Sequence, residues 1–227
     1  MQRTTSKLIG ILLFLFTLSS FNIHGQSLFT GRITYEISYP GSMLDLATLE
    51  QLPSEADITA KRERVRTEMD AGELYQIKIS DSDEMSVATV LEVLREKYVI
   101  HKTPEDIRQN LEELPDPQIN FTNETKEILG YTCKKAEAVY YDQHGDPVTS
   151  DIYYTEEIPG GPFNFDMPYN EIPGLMLEYE IRVGNLNMRY EATSIKSRWG
   201  LFISNRNFRV PRDAKEITYE ELREKLQ

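Results

Sequence analysis

The chain is poor in the residues that most often carry chemistry. Its 227 residues hold one cysteine, three histidines and one tryptophan. A lone Cys133 excludes an intrachain disulfide, so the fold must stand on its core. A solitary thiol of this kind is ordinarily buried and inert; an intermolecular disulfide is the alternative. With His24 in the N-terminal segment, only His101 and His144 remain in the body of the chain. That leaves little material for a histidine-rich metal site or for a Ser/His/Asp triad. No glycine-rich phosphate loop, nucleophile elbow or zinc-helix motif occurs. The sequence therefore assigns no catalytic residue, no metal and no cofactor. Cations are in the minority: 25 Lys and Arg stand against 37 Asp and Glu, a net charge of −12. Such a charge repels phosphate backbones and anionic membrane surfaces, so nucleic acid is not an expected partner.

Long apolar runs are missing too, except at the start. Arg3 and Lys7 precede an apolar stretch from Leu8 to Phe16, and small or polar residues from Ser19 to Gln26 close it. This is the three-part layout of a secretory signal peptide. The run falls short of the roughly 20 residues that span a bilayer. The expectation is cleavage after Gly25 or Gln26; an uncleaved anchor is the alternative. The cut position carries no cysteine, so the chain is not read as a lipoprotein. Loss of Arg3 and Lys7 with no acid takes the charge from −12 to −14 and leaves one domain over 27–227. The product is expected to be exported, to the periplasm or beyond the cell, and not to span a membrane after processing.

The body of the chain has a period of two. Ile33, Tyr35, Ile37 and Tyr39 alternate with polar neighbours and stop at Pro40-Gly41. Residues 57–69 read as an extended, highly charged segment. Strands follow at 74–80, 85–94 and 97–101, around charged turns at 81–84 and 95–96. Thr103-Pro104-Glu105-Asp106 starts a helix that runs to about Leu114, where Pro115 and Pro117 end it. Strands are expected at 118–126, 130–141 and 148–155, the last two joined by a turn over 143–147. Leu175–Val183 alternates most cleanly, turns at Gly184-Asn185 and returns from Leu186. Thr218 with Glu221 makes a capping box for a helix over 219–226. Runs of strands with few helices exclude the alternation that builds a parallel sheet. The expected class is α+β: a large, curved antiparallel β-sheet with a few short helices against one side, half-barrel-like and similar to periplasmic lipoprotein carriers.

Residues 157–174 break that rhythm. Four prolines and three glycines interrupt regular structure. Phe163, Phe165, Met167 and Tyr169, with Leu175 just beyond, need burial. Two readings stand: a lid over a cavity in the sheet, or a strap covering the end of the core. Here the chain also resembles a known family. Ile128-Leu129-Gly130-Tyr131-Thr132-Cys133-Lys134-Lys135-Ala136 leads into Ile152–Pro159, then Gly161-Pro162-Phe163, and then Ile172-Pro173-Gly174-Leu175-Met176-Leu177-Glu178. This order resembles the GLPGLI family of exported Bacteroidetes proteins, with Glu171-Ile172 in place of Gly-Leu and Met176 in place of the final Ile. Phe208–Pro211 and Tyr219–Leu222 resemble a neighbouring uncharacterised exported family. The resemblance implies export and supplies no catalytic residues.

Three further groups are candidates. Arg62, Arg64 and Arg66, spaced by two, would share one strand face and could hold an anion; pairing with acids on a solvated face is the other reading. Asp81, Asp83 and Glu84 offer hard oxygen ligands, yet lack the glycine and distal glutamate of a calcium loop, and read as a hairpin turn. His144 lies in a turn between Asp142 and Asp146. The functional expectation is a non-enzymatic cell-envelope protein that takes a lipid, another apolar ligand or an envelope protein in a groove of the sheet. A structural or assembly factor with a filled groove is the first alternative, and a carboxylate-dependent hydrolase the second.

Overall fold

The computed structural model describes residues 28–225 apart from 73, 94, 115, 142–144, 184–185 and 198–201. The expected signal peptide over 1–26, the Gly184-Asn185 turn, the His144 turn and Trp199 lie outside the described residues. The chain forms one sheet of twelve strands: β1 (Thr30–Ser38), β2 (Glu55–Lys61), β3 (Arg64–Ala71), β4 (Leu74–Asp81), β5 (Ser86–Val93), β6 (Glu96–Lys102), β7 (Gln118–Ile128), β8 (Tyr131–Tyr141), β9 (Pro147–Pro159), β10 (Gly174–Val183), β11 (Leu186–Ser197) and β12 (Lys215–Glu216). Their order is β12-β6-β5-β4-β3-β2-β1-β11-β10-β9-β8-β7. Two meanders, β2 to β6 and β7 to β11, therefore meet at β1, which pairs with β2 on one side and β11 on the other. Every pairing is antiparallel except that of the two-residue β12 with β6.

Among the described residues, four short α-helices accompany the sheet: α1 (Leu46–Leu49), α2 (Pro104–Glu113), α3 (Gly161–Asn164) and α4 (Tyr219–Lys225). They are too few to form the helical layer that an α+β reading requires, so the molecule is mainly β. α2 starts where its local chemistry dictates. The Thr103 hydroxyl accepts from the Asp106 amide, and the Asp106 carboxylate accepts in turn from the Thr103 amide at 2.7 Å. α4 begins the same way, with Thr218 and Glu221 exchanging hydrogen bonds.

One expectation needs correction. Residues 57–69 are not a single extended strand but the hairpin β2–β3, which turns at Arg62-Glu63. Arg62 adopts φ +58° there. This left-handed conformation disfavours a residue with a Cβ, yet neither glycine nor asparagine stands there to mark the turn. Met85 likewise lies in a left-handed turn, at φ +47°, and β5 starts only at Ser86.

The register defines two faces. Tyr35 pairs with Ala56, Ala56 with Met69, Ile58 with Thr67, and Thr67 with Lys78, so these side chains share what we term the Tyr35 face. Across β1, Tyr35 pairs with Ala192 and Ile37 with Tyr190, and Tyr190 pairs with Tyr179. The main core lies on this side, with Ile33, Tyr35, Ile152, Leu175 and Leu177 all nearly inaccessible. On β4 and β5 the alternate residues Ile77, Ile79, Ala88 and Val90 point the other way. They form a second, smaller core with Val99, covered by Phe208, Val210 and Ala214 of the C-terminal segment.

Candidate functional site

Residues 160–173 roof the Tyr35 face. β9 runs on to Pro159, α3 follows, and a series of turns returns the chain to β10. Asn164, in α3, is buried and donates from Nδ2 to the carbonyls of Ile172 (3.1 Å) and Gly174 (3.0 Å), which ties both ends of the segment together. Gly174 sits against β9 so closely that a Cβ there would lie 2.2 Å from the Thr155 carbonyl oxygen. This contact explains the glycine of the Ile-Pro-Gly stretch.

Tyr169 anchors the segment. Its ring is fully buried, and its hydroxyl donates to the Glu180 carbonyl while accepting from the Tyr140 hydroxyl at 2.7 Å. Burial raises its pKa well above the ordinary phenol value, so it stays a neutral donor. Tyr169 meets Tyr179 edge to face; Tyr179 stacks on Tyr190 with centroids 5.0 Å apart and rings 3° from parallel; Tyr35 meets both edge-on. The Tyr35 hydroxyl donates to the Met176 carbonyl at 2.7 Å. Burial pushes the Tyr190 hydroxyl up to about 12 and those of Tyr35 and Tyr179 higher still.

Between this aromatic wall and the roof lies a cavity of about 160 Å³. Phe163 and Met167 close it from above; Leu175, Met176 and the tyrosines form one side; Thr67, Lys78 and Ser80 of β3 and β4 form the other. Lys78 reaches the roof, where its Nζ lies 2.5 Å from Asp166 Oδ2. The second oxygen of that carboxylate, Oδ1, is buried with no hydrogen-bond partner among the described residues.

Of the expected lid residues, Phe163, Met167 and Leu175 line the cavity. Phe165 is half-buried outside the lining, and Tyr169 holds the roof without facing the space. No residue of 42–52 lines the cavity, and Met43 and Leu46 of that stretch are exposed. Nothing in the sequence signals that Tyr35, Tyr179 and Tyr190 wall a space, and sequence reasoning missed Lys78 and Asp166. The one available signal was the pair of polar residues, Asn164 and Asp166, set among the aromatics of the roof.

Of the three arginines, Arg62 and Arg64 border one acid-lined surface hollow and Arg66 lies outside it. Arg62 lies in the β2–β3 turn beside Glu63; Arg64 pairs with Asp81 at 2.9 Å; Arg66 pairs with Glu68 at 2.9 Å and reaches the Asn207 carbonyl. Each lies within ion-pair distance of an acid. Asp81 also accepts from the amides of Asp83 (3.1 Å) and Glu84 (3.3 Å), which makes 81–84 a charged turn. The Cys133 thiol is buried, donates weakly to the Tyr131 carbonyl, and is pushed up by burial to about 11. Among the described residues, no helix is long and apolar enough to cross a membrane.

An open, mainly β sheet with a roofed aromatic cavity is thus the class of domain defined. The sequence pattern of the N-glycanase peptide, N-terminal domain family matches residues 53–219, and the chain belongs to that family. Two crystal structures of PNGF-II share the fold. The C2 form is 20% identical with a TM-score of 0.53, over 86% of this chain and 32% of that one. The P21 form is 18% identical with a TM-score of 0.54, over 87% and 33%. The chain thus spans about a third of the length of these solved structures. No curated protein matches it.

Proposed function

We propose that this domain is a non-catalytic binding module that takes an apolar ligand in the cavity beneath residues 160–173. The observation that carries this reading is the cavity itself. Three tyrosines, three methionines and a phenylalanine border a space that the roof covers without filling. Apolar walls with a few placed polar groups are the usual make-up of a small-molecule site. We further propose that the chain is exported to the cell envelope, as its N-terminal 26 residues suggest, that it is kin to the GLPGLI proteins, and that its sheet bends as in the half-barrels of lipoprotein carriers. A second reading follows from the family match: the domain serves an N-glycanase, or a protein partner, as a companion module.

The test is a titration of the full chain with toluene, followed by ¹H–¹⁵N NMR. Shifts confined to residues around Tyr35, Met167 and Tyr190 are expected, together with their loss in Met167→Trp, which fills the space. No shift at any concentration, with the fold intact, would overturn the apolar-ligand reading and leave the companion-module reading.

A further inference from the structure

The cavity is charged at one end only, with Asn164 the polar residue of its roof. Lys78 and Thr67 face each other across β4 and β3, Ser80 lies two residues along, and all three border the space. The opposite wall is aromatic and aliphatic. Lys78 supplies the one charge among the lining residues, and its counter-ion comes from the roof. That counter-ion is poorly served, because Asp166 Oδ1 is buried without a donor among the described residues. A buried carboxylate oxygen left without a hydrogen bond is destabilising, so the closed roof carries an electrostatic defect.

Resting on the apolar-ligand reading, we propose that the cavity selects a compact monocarboxylate, an aryl or short alkyl acid, whose carboxylate takes Lys78 in place of Asp166. The hydrocarbon part lies among Tyr35, Tyr179, Tyr190 and Met167, and the head meets the Lys78 ammonium beside the Thr67 and Ser80 hydroxyls. Asp166 then turns outward to water, which relieves its unpartnered oxygen. The internal ion pair is a stand-in for the ligand's own. Size sets the limit: at about 160 Å³ the space matches a cavity that admits benzene, well below the several hundred Å³ of a typical drug-sized site. A single ring or a short chain fits, and a diacyl lipid does not.

Phenylacetate and toluene separate charge from bulk. Calorimetric titration of the full chain should show phenylacetate binding about tenfold more tightly than toluene. Lys78→Gln should abolish that margin and leave toluene binding as it was. Asp166→Asn, which removes the competitor but keeps the side-chain shape, should tighten phenylacetate severalfold and leave toluene unchanged. It provides an independent arm if Lys78→Gln does not fold, as circular dichroism would show. Equal binding of the two compounds, or a phenylacetate affinity unmoved by either variant, overturns the carboxylate assignment while the cavity reading survives. If neither compound binds, both fall.

Discussion

The two cores of this sheet are built differently. On the Tyr35 face, eighteen buried apolar residues, among those described, join β1, β2 and β8–β10 with β11 and the roof. On the other face, five such residues on β4, β5 and β6 depend for cover on a C-terminal stretch more than a hundred residues further along. The first is sealed by the connection between two of its own strands, so closing it needs only a short loop. The second closes through a distant segment held by Lys61 on Asn205, Arg66 on the Asn207 carbonyl and Lys97 on Asp213. The small core has fewer sealed side chains: Val90 is 1% exposed, while Ile77 and Ile79 keep 7% and 8% of their surface. One continuous sheet thus contains a deep region and a shallow one.

Substitution can break this contrast. Leu177→Ala should cost about 4 kcal/mol and lower the whole unfolding transition, since the surroundings of a fully buried side chain collapse only partly into the gap. Val90→Ala, the matching truncation in the small core, should cost about half as much. It should speed amide exchange in β5 and β6 before β1 or β10. Equal costs and uniform exchange would show that the two regions are one cooperative unit.

A middle-sized effect tests the roof. Tyr169→Phe leaves the ring in place but removes the hydroxyl that joins Tyr140 to the Glu180 carbonyl. A loss of about 2 kcal/mol in urea unfolding is expected, with faster exchange over 160–173 and little change in β4–β6. Unchanged exchange in the roof would mean that Tyr169 does not anchor it.

The smallest effect belongs to the shallow half. The Arg66 guanidinium, and then the Tyr75 hydroxyl, hold the Glu68 carboxyl below the usual carboxylate range. A depressed value means that the folded state binds its proton less readily than the unfolded chain does. The contribution is therefore present above the ordinary carboxylate value and is lost as pH falls through the lowered one. The Glu68 side chain is about a third exposed and its pair is screened by solvent, so Glu68→Gln should cost less than about 1 kcal/mol at neutral pH. Urea midpoints of the two proteins should converge on acidification toward pH 3. A gap that persists there would assign the effect to packing instead of charge.

What could be read from the chain was what is encoded locally. The alternation of Ile33-Tyr35-Ile37 and of Tyr179-Ile181, the Thr103/Asp106 box and the Thr218/Glu221 box each need only a few neighbouring residues. The β2–β3 turn escaped because Arg62 takes a left-handed conformation without a residue that advertises it. β12 escaped because two residues pairing in parallel with β6 have no pattern of their own. The site was half visible. Phe163 and Met167 stood out as apolar residues in a segment that could not be regular, whereas the Lys78–Asp166 pair joins positions far apart in sequence, and only the register of β1 to β4 brings them opposite each other.

The sheet never closes on itself, and its two margins take different precautions. At one, β7 presents Asn120, Asn123, Glu124 and Glu127 as exposed groups and breaks its register between Phe121 and Thr125. Charge and a broken ladder make a poor template for a strand from another molecule. At the other, β12 covers β6 with only two residues, both charged. A neighbour seeking to extend the sheet meets an irregular, hydrated border at one limit and a stub at the other. That arrangement guards against fibril-like growth in a protein whose broad β surface would otherwise invite it.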